Sequence, residues 1–186
     1  MSVVWRMTVR LKGVMPVVWR TMLVRPETKL AMLHRYIQAA MGWEEMHLYA
    51  FEIAGREYGI PDRDHDFGRK IYDARRYTLE RLVPALPARF GYLYDFGDGW
   101  KHDIDIEGGE EAAYRKQYPI CVDGGEPCPP EDVGGPPGYR DFLRVMSDPN
   151  DPEHEHFKAW AGDLRGRDFW NQRATWRMRD IQRGLL

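Results

Sequence analysis

Two periodicities organise the first third of the chain. Val3, Trp5, Met7, Val9 and Leu11 alternate with Val4, Arg6, Thr8 and Arg10, the period-two pattern of a half-buried strand. Lys12-Gly13 opens a turn, and residues 17–24 make a second run rich in β-branched and aromatic side chains, a strand signal. The period then changes. Leu30, Leu33, Ile37 and Met41 fall on one helical stripe, with Thr28 placed to cap it. Gly42 stands at the left-handed position that ends a helix, and Trp43 follows as its hydrophobic contact. Residues 48–53 read as a strand again. Strand, strand, helix, strand is a β-grasp-like opening, and it predicts an α+β fold with a mixed sheet.

Residues 59–77 are polar and rich in Arg and Asp, and read as an exposed excursion. Thr78 begins a short helix with Leu79, Leu82 and Val83 that Pro84 stops. A long hairpin is predicted over residues 90–107. Residues 124–138 hold five Gly and five Pro, a density that predicts no regular element there. Tyr139, Phe142, Leu143 and Met146 share one face of a helix over 139–146. Asp151-Pro152-Glu153 is a helix start, with a capping residue before proline, and a last helix is expected around 169–181. The whole reads as one domain over 1–186, with a core at about 3–146 and a helical extension at about 151–186.

The hairpin, FGYLYDFGDGWKHDIDIE, has two registers. A two-residue Asp98-Gly99 turn buries Asp95 opposite His102, a carboxylate–imidazole pair with general-base chemistry. A three-residue Gly97-Asp98-Gly99 loop shifts every pairing by one and exchanges the faces. Binary pattern favours the three-residue loop. It gathers Phe90, Tyr92, Tyr94 and Phe96 with Trp100, His102, Ile104 and Ile106, and sets Asp95 across from Lys101 on the polar face. Such a cross-strand charge pair contributes up to about 1 kcal/mol, whereas a poorly partnered buried carboxylate costs several times more. His102 then faces the core near Tyr94, hydrogen-bonded rather than catalytic.

Composition narrows the class. The 186 residues are 43% apolar with seven Trp, ten Tyr and seven Phe, and the net charge is −2, which excludes disorder as the dominant state. No apolar run approaches the roughly 20 residues of a membrane span, and the charged start does not read as a signal peptide. Cys121 and Cys128 are too few for a secreted disulfide scaffold, so a reducing cytoplasm is expected. Charge is polarised along the chain. Residues 1–43 carry seven Lys/Arg against Glu27 alone, and residues 95–132 carry eleven acids against three bases. Either the basic half binds something anionic, or the two segments neutralise each other within the fold; the second is the expectation.

Several motifs, taken together, match a known family. They are Pro16-Val17-Val18-Trp19-Arg20, Leu33-His34 with Ile37-Gln38, and Gly42-Trp43 followed by His47-Leu48-Tyr49 and Phe51. The run Tyr92-Leu93-Tyr94-Asp95-Phe96-Gly97-Asp98-Gly99-Trp100-Lys101-His102 follows. Last come Cys121 and then Pro129-Pro130-Glu131-Asp132-Val133-Gly134-Gly135 with Gly138-Tyr139. In these residues the chain resembles the plasmid pRiA4b ORF-3-like family, whose members are also described as insertion-element passenger or TnpR-like proteins. The resemblance spans about 16–139 and weakens beyond about 150, where an Arg- and Trp-rich end replaces the family's acidic one. It implies a compact α+β domain and carries over no catalytic residue. Serine-recombinase chemistry is excluded on the sequence. Ser2 and Ser147 are the only serines, one at the terminus and one at a helix end, and neither has the surroundings of an activated nucleophile.

The Pro/Gly loop is the leading functional segment, because structureless connections of that length usually bind something or cover an edge. Prolines hold Glu131 and Asp132, and with Asp95 and Asp98 they make a carboxylate group able to bind a divalent cation, unless they cap turns and pair with local arginines. The Cys121–Cys128 spacing is wrong for a zinc knuckle. His154 and His156 lie on different faces of a helix and read as solvated, and His34 reads as a satisfied histidine at the core edge. Trp19-Arg20 and Trp43 could form a stacking surface for a base or peptide, but read rather as sheet packing, with Arg20 lying along an aromatic face. The candidate binding residues are Trp43, His47, Tyr94, Asp95, Asp98, Trp100, His102, Glu131 and Asp132, with no metal or cofactor assigned. The expected function is a non-enzymatic binding module for a protein or nucleic-acid partner, away from membranes. The alternative is a metal-dependent hydrolase using Asp95, Asp98, His102, Glu131 and Asp132.

Overall fold

Alternation along the first strand sends its odd residues to one face and its even residues to the other, and both faces find partners. The computed structural model describes residues 2–61, 68–162 and 170–185. Trp5, Met7, Val9 and Leu11 of β1 (Val3–Leu11) join the main apolar cluster. Val4 on the reverse face packs with Leu23, Tyr118 and Ile120 in a smaller one. The elements that follow are β2 (Trp19–Val24), α1 (Leu30–Met41), β3 (Tyr49–Ile53), β4 (Arg56–Gly59), β5 (Ile71–Asp73), α2 (Leu79–Leu82) and β6 (Ala88–Tyr94). Then come β7 (Trp100–Glu111), β8 (Ile120–Gly125), α3 (Gly135–Ser147), α4 (His154–Ala161) and α5 (Asn171–Arg183). The fold is α+β. One mixed sheet runs β5-β4-β3-β6-β7-β1-β2-β8, antiparallel throughout except at β4–β5. The strand–strand–helix–strand opening is present, but β3 does not return beside β1. The β6–β7 hairpin lies between them.

The predicted stripe anchors α1. Leu30, Leu33 and Ile37 are fully buried, each stabilising by about 1.5–3 kcal/mol. Gly42 ends the helix in the left-handed conformation, its N–H bonded to Gln38 O. The start differs from expectation. Lys29 occupies the cap position, and no side chain caps the helix. Instead Leu30 N–H donates to Tyr77 O, and Lys29 bridges to Thr78, so a distant segment satisfies the first turn.

Three strands lay below the resolution of the pattern. β4 and β5 are only four and three residues long and fall in or beside the segment read as an excursion, part of which (62–67) lies outside the described residues. β8 is an edge strand whose last two residues belong to the Pro/Gly tract. Its outer backbone is covered by α5, where Thr175 Oγ1 accepts from Cys121 N–H at 2.9 Å, one way to protect an edge. α3 likewise begins inside that tract, at Gly135, because Pro136 and Pro137 occupy first-turn positions that need no donor. Tyr139 and Phe142 are buried there as expected, but Leu143 is exposed and Val145 is buried instead. α5 begins at Asn171, and the expected start at Phe169 lies outside the described residues.

The hairpin keeps the predicted faces with a longer loop. Tyr94 pairs with Trp100, Tyr92 with His102 and Phe90 with Ile104, so residues 95–99 form the loop. Asp95 therefore does not face Lys101; Leu93 does. Phe96 leaves the strand and lies beneath the Arg69 guanidinium. His102 sits opposite Tyr92 rather than Tyr94. The cause is at Asp95, whose positive φ of 54° breaks the strand, while its carboxylate accepts from Gly97 N–H.

The charge polarity is largely resolved within the sheet. Arg10 and Arg89 both pair with Asp105, Lys12 with Asp103 and Arg6 with Glu110. β7 lies beside β1, which sets the acidic strand against the basic one.

Candidate functional site

Trp43 is the hub of the candidate site. It directly follows the α1 terminator and is buried. Its ring lies 5.0 Å from Tyr94, 6.0 Å from Trp100 and edge-on to His102 at 5.5 Å. Its indole N–H donates to Pro129 O at 3.0 Å, and its carbonyl accepts from Arg177 of α5 at 3.0 Å. One residue thus joins α1, the hairpin, the Pro/Gly loop and the last helix.

The hairpin loop and the Pro/Gly loop meet directly. Asp98 accepts from Gly134 N–H at 3.1 Å. Gly135 lies so close that an added Cβ would stand 2.2 Å from Asp98 O, which is why that position tolerates only glycine. The Tyr94 hydroxyl accepts from Met46 N–H at 3.1 Å and donates to the Glu131 carboxylate in a short bond. Burial, reinforced by that carboxylate, raises the phenol's pKa. His47 completes the group, with Nε2 3.6 Å from Asp95 Oδ2 and 3.0 Å from Asp132 Oδ1. The structure therefore brings together Trp43, His47, Tyr94, Asp95, Asp98, Trp100, His102, Glu131 and Asp132.

They do not all do the same thing. His102 lies under Trp43, fully buried, with Nδ1 near Tyr92 O at 3.4 Å. Desolvation lowers its pKa to about 4, so it is neutral. Trp100 is core. Asp98 and Glu131 hold loops through the bonds just described. Among the described residues, the only histidine, cysteine or acidic side chains whose donor atoms gather closely enough to share an ion are His47, Asp95 and Asp132, all within 4.8 Å of one another.

A cavity of about 560 Å³ opens beside this group. Its walls are Trp43, Trp160 and Trp170, with Pro129 and Pro130, and its charged groups are Glu44, Glu131, Asp132, Arg173 and Arg177, with Arg20 at the back. Trp160 and Trp170 are well exposed.

Three contributors have roles that the sequence reading did not assign. Arg20 is 1% exposed and donates to Ala40 O, Trp19 O, Gly125 O and Glu126 O, tying β2 to the α1 terminus and to the entry of the Pro/Gly loop. Its signal was phase, because Val18, Arg20, Met22 and Val24 alternate inward together. Gln38 is fully buried and donates to the Tyr92 hydroxyl at 3.0 Å. That leaves the phenol proton for His34 Nδ1, 2.8 Å away. His34 is stacked on Tyr49 at 3.6 Å, and burial brings its pKa down to about 3. It is a satisfied core histidine, as read. His154, expected to be solvated, is instead buried with Nδ1 at 3.1 Å from Val145 O, and His156 is exposed. The third such contributor is Arg177, one of many arginines in the tail.

The family model described as "Plasmid pRiA4b ORF-3-like protein" matches residues 3–175. The chain belongs to the plasmid pRiA4b ORF-3-like family. The match runs past residue 150, so α4 and the start of α5 are within the family pattern rather than beyond it. "Uncharacterized protein y4hQ" of Sinorhizobium fredii, a relative by sequence, is 41% identical over 158 residues, covering 84% of this chain and 80% of its own. Among solved structures, a protein of unknown function from Methanosarcina mazei Go1, MM3350, is similar with a TM-score of 0.82 and 28% identity. The similarity covers 94% of this chain and 98% of that one. Among the described residues no helix is long and apolar enough to cross a membrane.

Proposed function

We propose that this pRiA4b ORF-3-like protein is a binding module for a protein partner, which places a short peptide segment in the cavity between Trp43, the Pro/Gly loop and α5. The observation that carries the reading is the wall of that cavity. Tryptophan and proline faces suit side chains of a peptide, and the carboxylates of Glu44, Glu131 and Asp132 with the guanidinium groups of Arg173 and Arg177 suit its backbone and charges of either sign. A nucleic-acid partner is less well served, because Arg6, Arg10 and Lys12 of β1 and its following turn are already paired with acids of β7. The hydrolytic reading is also less well served. Of its five residues, Asp98 and Glu131 are engaged in holding loops, and His102 is buried against Trp43.

The test is selection of a displayed random-peptide library on the intact protein, followed by binding of the enriched peptides to Trp160→Ala and Trp170→Ala. Both side chains are exposed, so the fold is expected to survive. Enriched peptides that lose tenfold or more in affinity on either variant are the expected result. No enrichment, together with salt-sensitive binding of short nucleic acids, overturns the reading in favour of a nucleic-acid partner.

A further inference from the structure

We propose that His47, Asp95 and Asp132 form a site for one divalent first-row transition ion, of the class of Zn²⁺ and Mn²⁺. Nε2 of His47 is shut off from solvent and makes no hydrogen bond, although two carboxylate oxygens stand 3.0 and 3.6 Å from it. Those oxygens therefore lie off the direction in which the ring would donate. Flanking a ring nitrogen in this way is how ligands surround a shared ion. With bonds of about 2.0–2.2 Å, tetrahedral or octahedral coordination sets neighbouring ligand atoms roughly 3–3.6 Å apart.

The three groups are aimed before any ion arrives. Asp95 Oδ1 accepts from Gly97 and Asp98 N–H groups at 2.9 and 3.3 Å, which turns Oδ2 toward His47. The Tyr94 hydroxyl binds Met46 N–H and the Glu131 carboxylate, the residues immediately before His47 and Asp132. A single buried phenol thus fixes the spacing of two of the ligands, the supporting role outer groups play around bound metals. An imidazole with two carboxylates favours a transition ion over Ca²⁺ or Mg²⁺, which take oxygen alone. The two carboxylates neutralise a divalent charge. Asp132 also lines the cavity, and its side chain is 73% exposed, so the ion's remaining positions face outward. The site does not depend on the peptide reading, since ion binding and peptide binding are measured separately.

The test uses the full chain, freed of any affinity tag and stripped with chelator. Titration calorimetry with Zn²⁺ is expected to give one saturable site per chain. Asp132→Asn and His47→Gln are each expected to weaken it tenfold or more, while His156→Gln leaves it unchanged. Asp132 is exposed, so its variant remains informative if His47→Gln fails to fold. Any of three results overturns the proposal. These are no saturable Zn²⁺ binding, binding that survives Asp132→Asn but is lost in Cys121→Ser/Cys128→Ser, or equal affinity for Mg²⁺ or Ca²⁺.

Discussion

Lowering the pH from 7 to 5 is expected to remove about 4 kcal/mol of folding stability, nearly all through His34 and His102. Both imidazoles are buried, and desolvation holds them down to about 3 and about 4, against roughly 6.5 in an open chain. Between those values the unfolded chain takes up protons that the folded state refuses, so stability is full above about pH 6.5 and falls as the pH falls. Each histidine then contributes a slope approaching about 1.4 kcal/mol per pH unit, or about 1.9 kcal/mol from pH 7 to 5. That is a large share of the roughly 5–15 kcal/mol by which domains are stable. Urea unfolding followed by tryptophan fluorescence at the two pH values measures it directly. His34→Gln keeps an acceptor for the Tyr92 hydroxyl and should halve the difference. A stability change under about 1 kcal/mol between pH 7 and 5, or an unchanged change in both His34→Gln and His102→Gln, would mean the folded imidazoles protonate freely and would refute the argument.

Three further outcomes follow from the same geometry. Gly135 and Gly99 both have positive φ, but only Gly135 meets a neighbour, with an added Cβ 2.2 Å from Asp98 O. Gly99→Ala is expected to cost about 1 kcal/mol and Gly135→Ala about 2–4, compared by thermal unfolding; equal losses would remove the close approach from the explanation. Arg20→Met strips the guanidinium from four backbone carbonyls and should lower stability by at least about 3 kcal/mol, with Arg20→Lys only partly restoring it because an ammonium lacks the planar fork. Burial pushes the Cys121 thiol up to about 12, so in a Cys128→Ser background it should resist a disulfide reagent at pH 8 until urea is added; prompt labelling of the folded protein would contradict its burial.

The parts of the molecule that the sequence carried plainly are those governed by local period. The β1 alternation, the α1 stripe and the Gly42 terminator need only neighbours along the chain, and each stands where the pattern put it. The inward face of the hairpin was also legible, because parity decides it. The loop length was not, since Asp95 adopts a positive φ that only its bond to Leu48 O and its own carboxylate turn make worthwhile. β4 and β5 are too short to show a period, and β8 runs into glycines, so their status as strands comes from the partner beside them.

The residues of the candidate site were readable as types, whereas their roles were assigned by contacts far apart in the chain. Trp43, Tyr94 and Glu131 are adjacent because α1, the hairpin and the Pro/Gly loop converge, and nothing in the spacing states that distance. By itself the sequence determined the α+β class, the longer elements with the inward faces of β1, α1 and the hairpin, and the family, since these follow from periodicity and from short motifs. Only the tertiary structure decided that His102 packs under Trp43 while His47 joins Asp95 and Asp132, and that acidic β7 neutralises basic β1. Burial and charge are properties of what lies across space, and a linear pattern fixes which face a residue takes without fixing which partner it meets.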